Sequence, residues 1–131
     1  MLAVDTNVLI RILVTDDKQI GQVKLARQLA KKAKTLFIPQ IVQVELVWVL
    51  DAAYELDKIE IVRILQHLQT NEAFQLQNAA EFSEALRLFQ DNNVDFSDSL
   101  ILIESKNENC DVMTFDKKFS RLPNVKYLHA E

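Results

Sequence analysis

The apolar positions of the chain change period several times between residues 1 and 131. Short continuous apolar runs predict strands at residues 2–5, 35–39, 73–77, 110–116 and 125–129. Apolar residues that recur every three or four positions predict helices over residues 8–14, 20–34, 40–55, 59–69, 79–90 and 95–106. Strands that alternate with helices predict the α/β class, here a three-layer α/β/α sandwich with a central, mainly parallel sheet.

Length and composition predict one domain over residues 1–131, because 49% of the residues are apolar and can form one core. The single glycine and two prolines leave no glycine-rich loop for a nucleotide phosphate, which argues against Rossmann and P-loop proteins. The start lacks a basic leader, and no apolar stretch approaches the roughly 20 residues of a membrane span. We therefore expect a cytoplasmic protein without membrane contact. Cys110 is the only cysteine, and we expect it to be buried.

Two acids come at the ends of predicted strands. Asp5 follows the first strand and Asp116 a later one, and parallel sheets carry their sites outside the carboxyl ends of the strands. The two carboxylates would converge if their strands are neighbours. Thr6, Asn7 and Thr114 lie beside them and would hold the carboxylates or a metal-bound water. For Thr6 and Asn7 the alternative is N-capping of the short helix that follows.

A third acid, Glu45, lies within the helix predicted over residues 40–55, which is apolar on nearly all sides and which we therefore expect to be buried. Helical spacing places it on the face of Ile41, Trp48 and Val49, so we expect its carboxylate to be poorly hydrated and to need a cation or a hydrogen-bond donor. The alternative is a glutamate that reaches the rim of the core or pairs with an arginine.

Two more acids, Asp95 and Asp98, lie in the first turn of the helix predicted over residues 95–106. Acids at this position are favoured by capping and by the helix dipole, which is the alternative to a functional role for both.

Several carboxylates in one cleft would repel one another by roughly 3 kcal/mol per pair at about 5 Å and an effective dielectric near 20. A divalent cation would remove this conflict. Oxygen ligands without histidine or cysteine favour Mg²⁺ or Mn²⁺ over zinc. His67 and His129 have no partner at ligand spacing, and we expect both to be structural or exposed to solvent.

The order of the segments "VDTNVLI", "PQIVQVELVWVL", "DFSDSLI" and "VMTFDKKF" resembles the PIN-domain nucleases, and the chain length resembles the VapC-like ribonuclease toxins of bacterial toxin–antitoxin pairs. The resemblance covers essentially the whole chain. It implies that the acidic quartet of the family consists of Asp5, Glu45, Asp98 and Asp116. It also implies that Asp95 is an additional acid found in part of the family. The polar companions of these acids would be Thr6 or Asn7 together with Thr114. The sequence departs from the family pattern at two places. The segment "SLILIES" follows Asp98 where small residues are usual, which concerns helix packing. Asn109 stands where a glycine is frequent before the strand, which concerns the end of the helix.

The resemblance further implies a Mg²⁺- or Mn²⁺-dependent endoribonuclease that hydrolyses RNA phosphodiester bonds. Such proteins form homodimers and are silenced by a small antitoxin that inserts into the site, which implies a larger assembly with that partner. Arg11, Lys117 and Lys118 flank the acid motifs and are candidates for contact with RNA, although each would also suit a solvated surface. Two other functions stay open: a phosphohydrolase of the haloacid dehalogenase type, which would want a second aspartate where Asn7 stands, and a noncatalytic interaction module.

Overall fold

The computed structural model describes residues 1–129 and divides the chain into two compact units, one of Met1–Ala79 and one from Ala80 onward. The strands within this range are β1 (Leu2–Ala3), β2 (Leu36–Ile38), β3 (Phe74–Leu76), β4 (Val112–Thr114) and β5 (Val125–Tyr127). The α-helices are α1 (Thr6–Leu13), α2 (Ile20–Ala33), α3 (Gln40–Ala52), α4 (Lys58–Thr70), α5 (Ala79–Asp91) and α6 (Phe96–Asn107). The predicted alternation of strands and helices is confirmed.

The first unit contains a three-stranded sheet in the order β1-β2-β3, and all of its strands are parallel. Leu36 of β2 pairs with Leu2 on one side and with Phe74 on the other. The middle strand is the most protected, with Leu36 and Ile38 buried. Because the strands are parallel, the carboxyl ends of β1 and β2, and therefore the first residues of α1 and α3, lie at the same edge of this sheet.

Side chains from α1, α3 and α4 complete the core of this unit, with Leu9, Leu46, Leu50 and Leu65 fully buried. Asp57 and Glu60 have the spacing of a capping box, which predicts a helix start at this point. Helix α4 does begin there, and the Asp57 carboxylate accepts a hydrogen bond from the Glu60 N–H at 2.9 Å.

The second unit pairs β4 with β5, again in parallel. Its core has two parts. The Phe96 ring makes edge contacts with Phe82 and Phe89, and Leu102, Phe119 and Val125 form a separate buried cluster. Burial of aromatic rings is among the largest apolar contributions that a single side chain makes to stability.

The end of α6 accommodates an asparagine at position 109, where the resemblance implies a frequent glycine. Asn109 has a positive φ of 59°, the left-handed conformation expected of an asparagine after a helix. The substitution of asparagine for the usual glycine therefore preserves the helix end.

Two expectations about burial are wrong. Cys110 is exposed, because it lies in the turn between α6 and β4 and not within the strand itself. Helix α3 is not buried on all sides: Val42, Leu46 and Leu50 face the core, whereas Ile41 and Trp48 are exposed. The apolar composition of α3 therefore did not distinguish its core face from its outer face.

The expectation of one domain stays a prediction. In the part of the chain that the structure describes, no helix has the length and apolar character needed to cross a bilayer.

Candidate functional site

Asp5 connects β1 to α1 and serves as the N-cap of that helix. Its Oδ1 accepts a hydrogen bond from the Val8 N–H at 3.0 Å, and its backbone is extended, as an N-cap residue requires. The residue is nonetheless exposed. Capping fixes the position of the carboxylate at the sheet edge without removing it from solvent.

Thr6, the next residue, links α1 to α3. Its hydroxyl donates a 2.9 Å hydrogen bond to Oε1 of Glu45. Thr6 therefore acts on an acid 39 positions further along the chain, and the alternative that it only caps α1 does not account for this contact. Thr6 is thus a predicted polar companion whose side chain hydrogen-bonds to a predicted acid, Glu45, on a different helix of this unit.

The environment of Glu45 differs from the predicted one. Ile41 and Trp48 share its face of α3 as predicted, but they are 62% and 55% exposed, and Glu45 is exposed as well. The expectation of a poorly hydrated carboxylate is therefore wrong. Helical periodicity identified the neighbours of Glu45 correctly but could not show that this face points to solvent.

Arg11 lies in a polar network at the other end of α1. Its guanidinium donates to Oε1 of Gln22 at 2.9 Å and to the Tyr54 hydroxyl at 2.8 Å, and it lies 3.8 Å from the Asp16 carboxylate. The Tyr54 hydroxyl in turn donates to Asp16 at 2.9 Å. These contacts give Arg11 a role in joining α1, α2 and the end of α3, which supports a structural role over contact with RNA.

The network shifts two ionisation equilibria. The Lys18 backbone N–H and then the Tyr54 hydroxyl lower the pKa of Asp16 from its ordinary value of 3.8. Burial and the hydrogen bond to Asp16 raise the pKa of Tyr54. No sequence pattern predicted this network, because Tyr54 and Asp16 lie 38 positions apart and match no motif.

A groove of about 490 Å³ runs between α1 and α2. It begins at Asp5 and the exposed Asn7 and extends over apolar side chains of α2. The lining residues are Asp5, Asn7, Val8, Arg11, Gln19, Gln22, Leu25, Ala26 and Leu29. Asn7 therefore lines a surface groove beside Asp5, and because the N-cap of α1 is Asp5, the alternative that Asn7 caps this helix is wrong.

The second unit brings three of the predicted acids into electrostatic contact. Asp98 lies in the first turn of α6, and burial, followed by the charges of Asp95 and Asp116, raises its pKa above the ordinary value of 3.8. Asp95 occupies the N-cap position of α6, yet its side chain makes no capping hydrogen bond to the described helix. Capping therefore does not explain why an acid stands at position 95.

Asp116 follows β4 and organises the turn after it. Its Oδ1 accepts from the backbone N–H groups of Lys118 and Phe119, at 2.9 and 3.2 Å, while its own N–H donates to the Thr114 hydroxyl at 3.0 Å. Thr114 thus contacts the backbone of Asp116 and not its carboxylate, so its role as a polar companion of that carboxylate stays a prediction. Lys117 and Lys118 are exposed, and the Lys117 ammonium lies 5.9 Å from the centre of the Tyr127 ring.

The predicted acids thus form two groups. Asp5 and Glu45 lie exposed in the first unit. Asp95, Asp98 and Asp116 lie in the second unit, where the charges of Asp95 and Asp116 act on Asp98. Among residues 1–129, no three histidine, cysteine or carboxylate side chains are arranged to hold one metal ion. This is compatible with Mg²⁺, which keeps several of its waters and commonly binds through one or two carboxylates plus substrate phosphates. The donor chemistry, carboxylate oxygens, fits a hard cation.

The sequence matches the PIN domain family over residues 2–125, nearly its whole length. The chain belongs to the PIN domain family. This PIN domain is also 25% identical over 124 residues to a protein named VapC ribonuclease from Aquifex aeolicus (strain VF5), an alignment that covers 93% of this chain and 92% of the relative. The resemblance predicted from the four acid motifs is confirmed, and membership of the PIN family decides against the haloacid dehalogenase alternative.

Proposed function

We propose that this PIN domain is a metal-dependent endoribonuclease and the toxin of a toxin–antitoxin pair. The observation that carries the proposal is the match to the PIN family along nearly the whole chain together with a relative named VapC ribonuclease of almost the same length. All four acids of the predicted quartet are present, which favours an active nuclease over a noncatalytic module.

The proposed ligands of Mg²⁺ or Mn²⁺ are Asp5, Glu45, Asp98 and Asp116, with Asp95 as an additional acid. Burial and then the charges of Asp95 and Asp116 raise the pKa of Asp98, and this supports the role because a hard cation would offset both effects. The hydrogen bond from Thr6 to Glu45 supports it as well, since side chains that orient metal ligands are commonly held by such contacts.

In the proposed reaction, water attacks an RNA phosphodiester and the 3′ oxygen leaves. The cation, when bound, would supply charge stabilisation at the phosphate and lower the pKa of a bound water. The protein's own part is to position groups: Thr6 orients the Glu45 carboxylate, the turn after β4 orients Asp116, and one of the acids orients the attacking water or accepts its proton. Products with 5′-phosphate and 3′-hydroxyl ends follow from this direction of attack.

By resemblance to the VapC-like toxins, the proposed partners are an RNA substrate, a small antitoxin protein and a second copy of the chain, with a larger assembly when the antitoxin is bound. A cytoplasmic location belongs to the same proposal.

The test compares the purified protein with its Asp5→Asn variant on RNA in Mg²⁺, in Mn²⁺ and in chelator. Asparagine retains an oxygen for the hydrogen bond from the Val8 N–H, so the helix cap survives while the negative charge is lost. Asp51→Asn removes an exposed acid of α3 and serves as the control.

We expect cleavage by the wild type and by Asp51→Asn in metal, and none by Asp5→Asn or in chelator. Equal cleavage by wild type and Asp5→Asn, or cleavage that persists in chelator, would contradict the proposed mechanism. Failure of the folded wild type to cleave RNA in either metal would favour the noncatalytic module.

A further inference from the structure

The basic residues of the chain are concentrated in one segment. Residues 18–44 contain six of the 15 lysines and arginines and no aspartate or glutamate, so this segment carries a charge of +6 and the rest of the chain −10. At physiological salt, the field of an exposed charge is screened beyond about 8 Å. A polyanion in contact with this segment therefore meets a positive surface, although the net charge of the protein is −4.

Helix α2 arranges part of this charge along a groove of about 410 Å³. Lys24, Arg27 and Lys31 recur at intervals of three and four residues, which places them on one side of α2 over about 10 Å of its length. All three side chains are exposed and line the groove, and Thr15 and Gln28 add polar groups to its lining. This surface, defined by these five residues, is here called the basic groove.

Arg27 is held in place by contacts at the end of α1. Its Nε donates to the Ile12 carbonyl at 3.2 Å, and its Nη2 donates to the Thr15 hydroxyl at 3.1 Å. These two bonds satisfy a carbonyl at the C-terminus of α1 and use two of the five N–H donors of the guanidinium. Three donors therefore remain for a ligand, on a group whose position is already fixed.

The two lysines of the basic groove are not neutralised by the protein. Within residues 1–129, neither Lys24 nor Lys31 forms an ion pair, and α2 itself contains no acid. Asp5 lies in the groove between α1 and α2 described above, which has no lining residue in common with the basic groove. The basic groove is therefore a separate surface of the first unit, with cations that a ligand can pair.

The composition of the basic groove indicates which kind of polyanion fits it. None of the described residues that line it is aromatic, and its apolar members are Ile20 and the buried Val23. Protein partners usually bind through aromatic or other large anchors in a desolvated centre. Interfaces with nucleic acids are more polar and much more positively charged. The lining therefore favours a sugar–phosphate backbone over an acidic polypeptide.

We propose that the basic groove binds backbone phosphates of RNA independently of sequence. Lys24 and Lys31 pair with phosphates as mobile charges, and Arg27 does so as a fixed donor group. The inference rests on the proposed ribonuclease function and adds to it an RNA-binding surface outside the groups proposed to hold metal. It acts on substrate binding and not on bond cleavage.

The salt dependence of binding tests this contact. The full-length protein is titrated in chelator, where no cleavage is expected, with a labelled single-stranded RNA of mixed sequence, and fluorescence anisotropy gives the affinity at several salt concentrations. Each phosphate contact contributes about 0.7 to the slope of log affinity against log salt. The double variant Lys24→Gln, Lys31→Gln should therefore lower this slope by about 1.4 and weaken binding roughly five- to thirtyfold near 0.1 M salt.

Two further double variants separate the groove from net charge. Arg63→Gln with Lys106→Gln removes two exposed cations that do not line the basic groove, so it changes the net charge as much as the groove variant does. This control should keep the wild-type slope. Lys24→Arg with Lys31→Arg keeps both charges and should bind as tightly as the wild type. Thermal unfolding is recorded for every variant.

Equal salt slopes for the two glutamine double variants would overturn the proposal, because net charge and not the groove would then set the affinity. Displacement of the RNA by polyglutamate at an equal concentration of charges would also overturn it, since an acidic polypeptide would then be the better ligand. Weaker binding by the groove variant, with no cleavage by wild type in metal, would leave the groove standing and refute only the nuclease. Cleavage in metal, with binding that the groove variant does not change, would do the reverse.

Discussion

At the scale of single residues, the Thr6 hydroxyl donates a hydrogen bond to the carboxylate of Glu45. Thr6 lies on α1 and Glu45 on α3, so this bond joins two of the residues predicted for the site across two helices of the first unit. Thr6→Val keeps the shape of the side chain and removes the donor, whereas Thr6→Ser keeps the donor. We expect Thr6→Val to lower RNA cleavage about ten- to a hundredfold, the usual cost of losing a group that orients a metal ligand.

The measurement is the initial rate of cleavage in saturating Mg²⁺, with thermal unfolding recorded for each variant. Thr6→Ser should cleave at close to the wild-type rate. Equal activity of the valine and serine variants would show that the hydrogen bond does not serve the reaction.

Asp16 provides a prediction of pH dependence away from the acids of the proposed site. Its pKa in the folded protein is lowered, so its contribution to stability is present above the ordinary value of 3.8 and is lost as the pH falls through the lower, folded value. Asp16→Asn should therefore reduce the free energy of unfolding at neutral pH, and the difference from wild type should disappear in strong acid.

Urea unfolding at several pH values measures this difference. Tyr54→Phe, which removes the hydroxyl that donates to Asp16, should give a smaller loss over the same acidic range. A deficit of Asp16→Asn that is independent of pH would show that packing, and not the charge, accounts for the effect.

At the scale of elements, the N-cap residue of α1, Asp5, has two roles: it caps the helix, and it is a proposed metal ligand. Asp5→Ala removes both the hydrogen bond to the Val8 N–H and the charge, whereas Asp5→Asn removes the charge alone. We expect Asp5→Ala to lower the free energy of unfolding by about 1 kcal/mol and Asp5→Asn to change it little. Both should abolish cleavage. Chemical denaturation separates the two roles, and equal stability of the two variants would show that the cap contributes nothing.

Element identity was largely predictable because each helix and strand here carries its own local pattern. The runs LFI and VMT form strands, and Asp57 with Glu60 caps α4, as the sequence alone indicated. Burial of particular faces was less predictable. The apolar character of α3 did not reveal that Trp48 faces solvent, because apolar residues occur on nearly every side of that helix.

The site was predictable where residues act through neighbours in sequence. Asp116 and Thr114 lie two positions apart and contact each other, although through the Asp116 backbone N–H and not through its carboxylate. Contacts between distant residues could not be read from spacing. Only the structure shows that Thr6 bonds to Glu45 and that Arg11 is engaged by Tyr54, because these depend on how helices pack.

At the scale of the whole molecule, the acids impose a cost on folding that a cation would remove. In the metal-free protein, burial and the charges of Asp95 and Asp116 disfavour the ionised form of Asp98, which is what its raised pKa expresses. Asp98→Asn should therefore stabilise the metal-free protein at neutral pH, by on the order of 0.5 kcal/mol for such a partly exposed group. The gain should vanish below pH 3.8, where the wild-type carboxyl is protonated in both states.

The same substitution should have the opposite effect once metal is present. A cation that binds the folded chain and not the unfolded one stabilises it by about 2.7 kcal/mol at a hundredfold excess over Kd, a rise in Tm on the order of 10 °C for a chain of this size. We expect Mg²⁺ or Mn²⁺ to raise the Tm of wild type and of Asp51→Asn, and to raise that of Asp98→Asn much less. Calorimetry with and without metal measures both effects, so Asp98→Asn should be the more stable protein in chelator and the less stable one in metal. Equal metal-induced shifts for Asp98→Asn and Asp51→Asn would show that Asp98 is not a ligand, whatever its effect on cleavage.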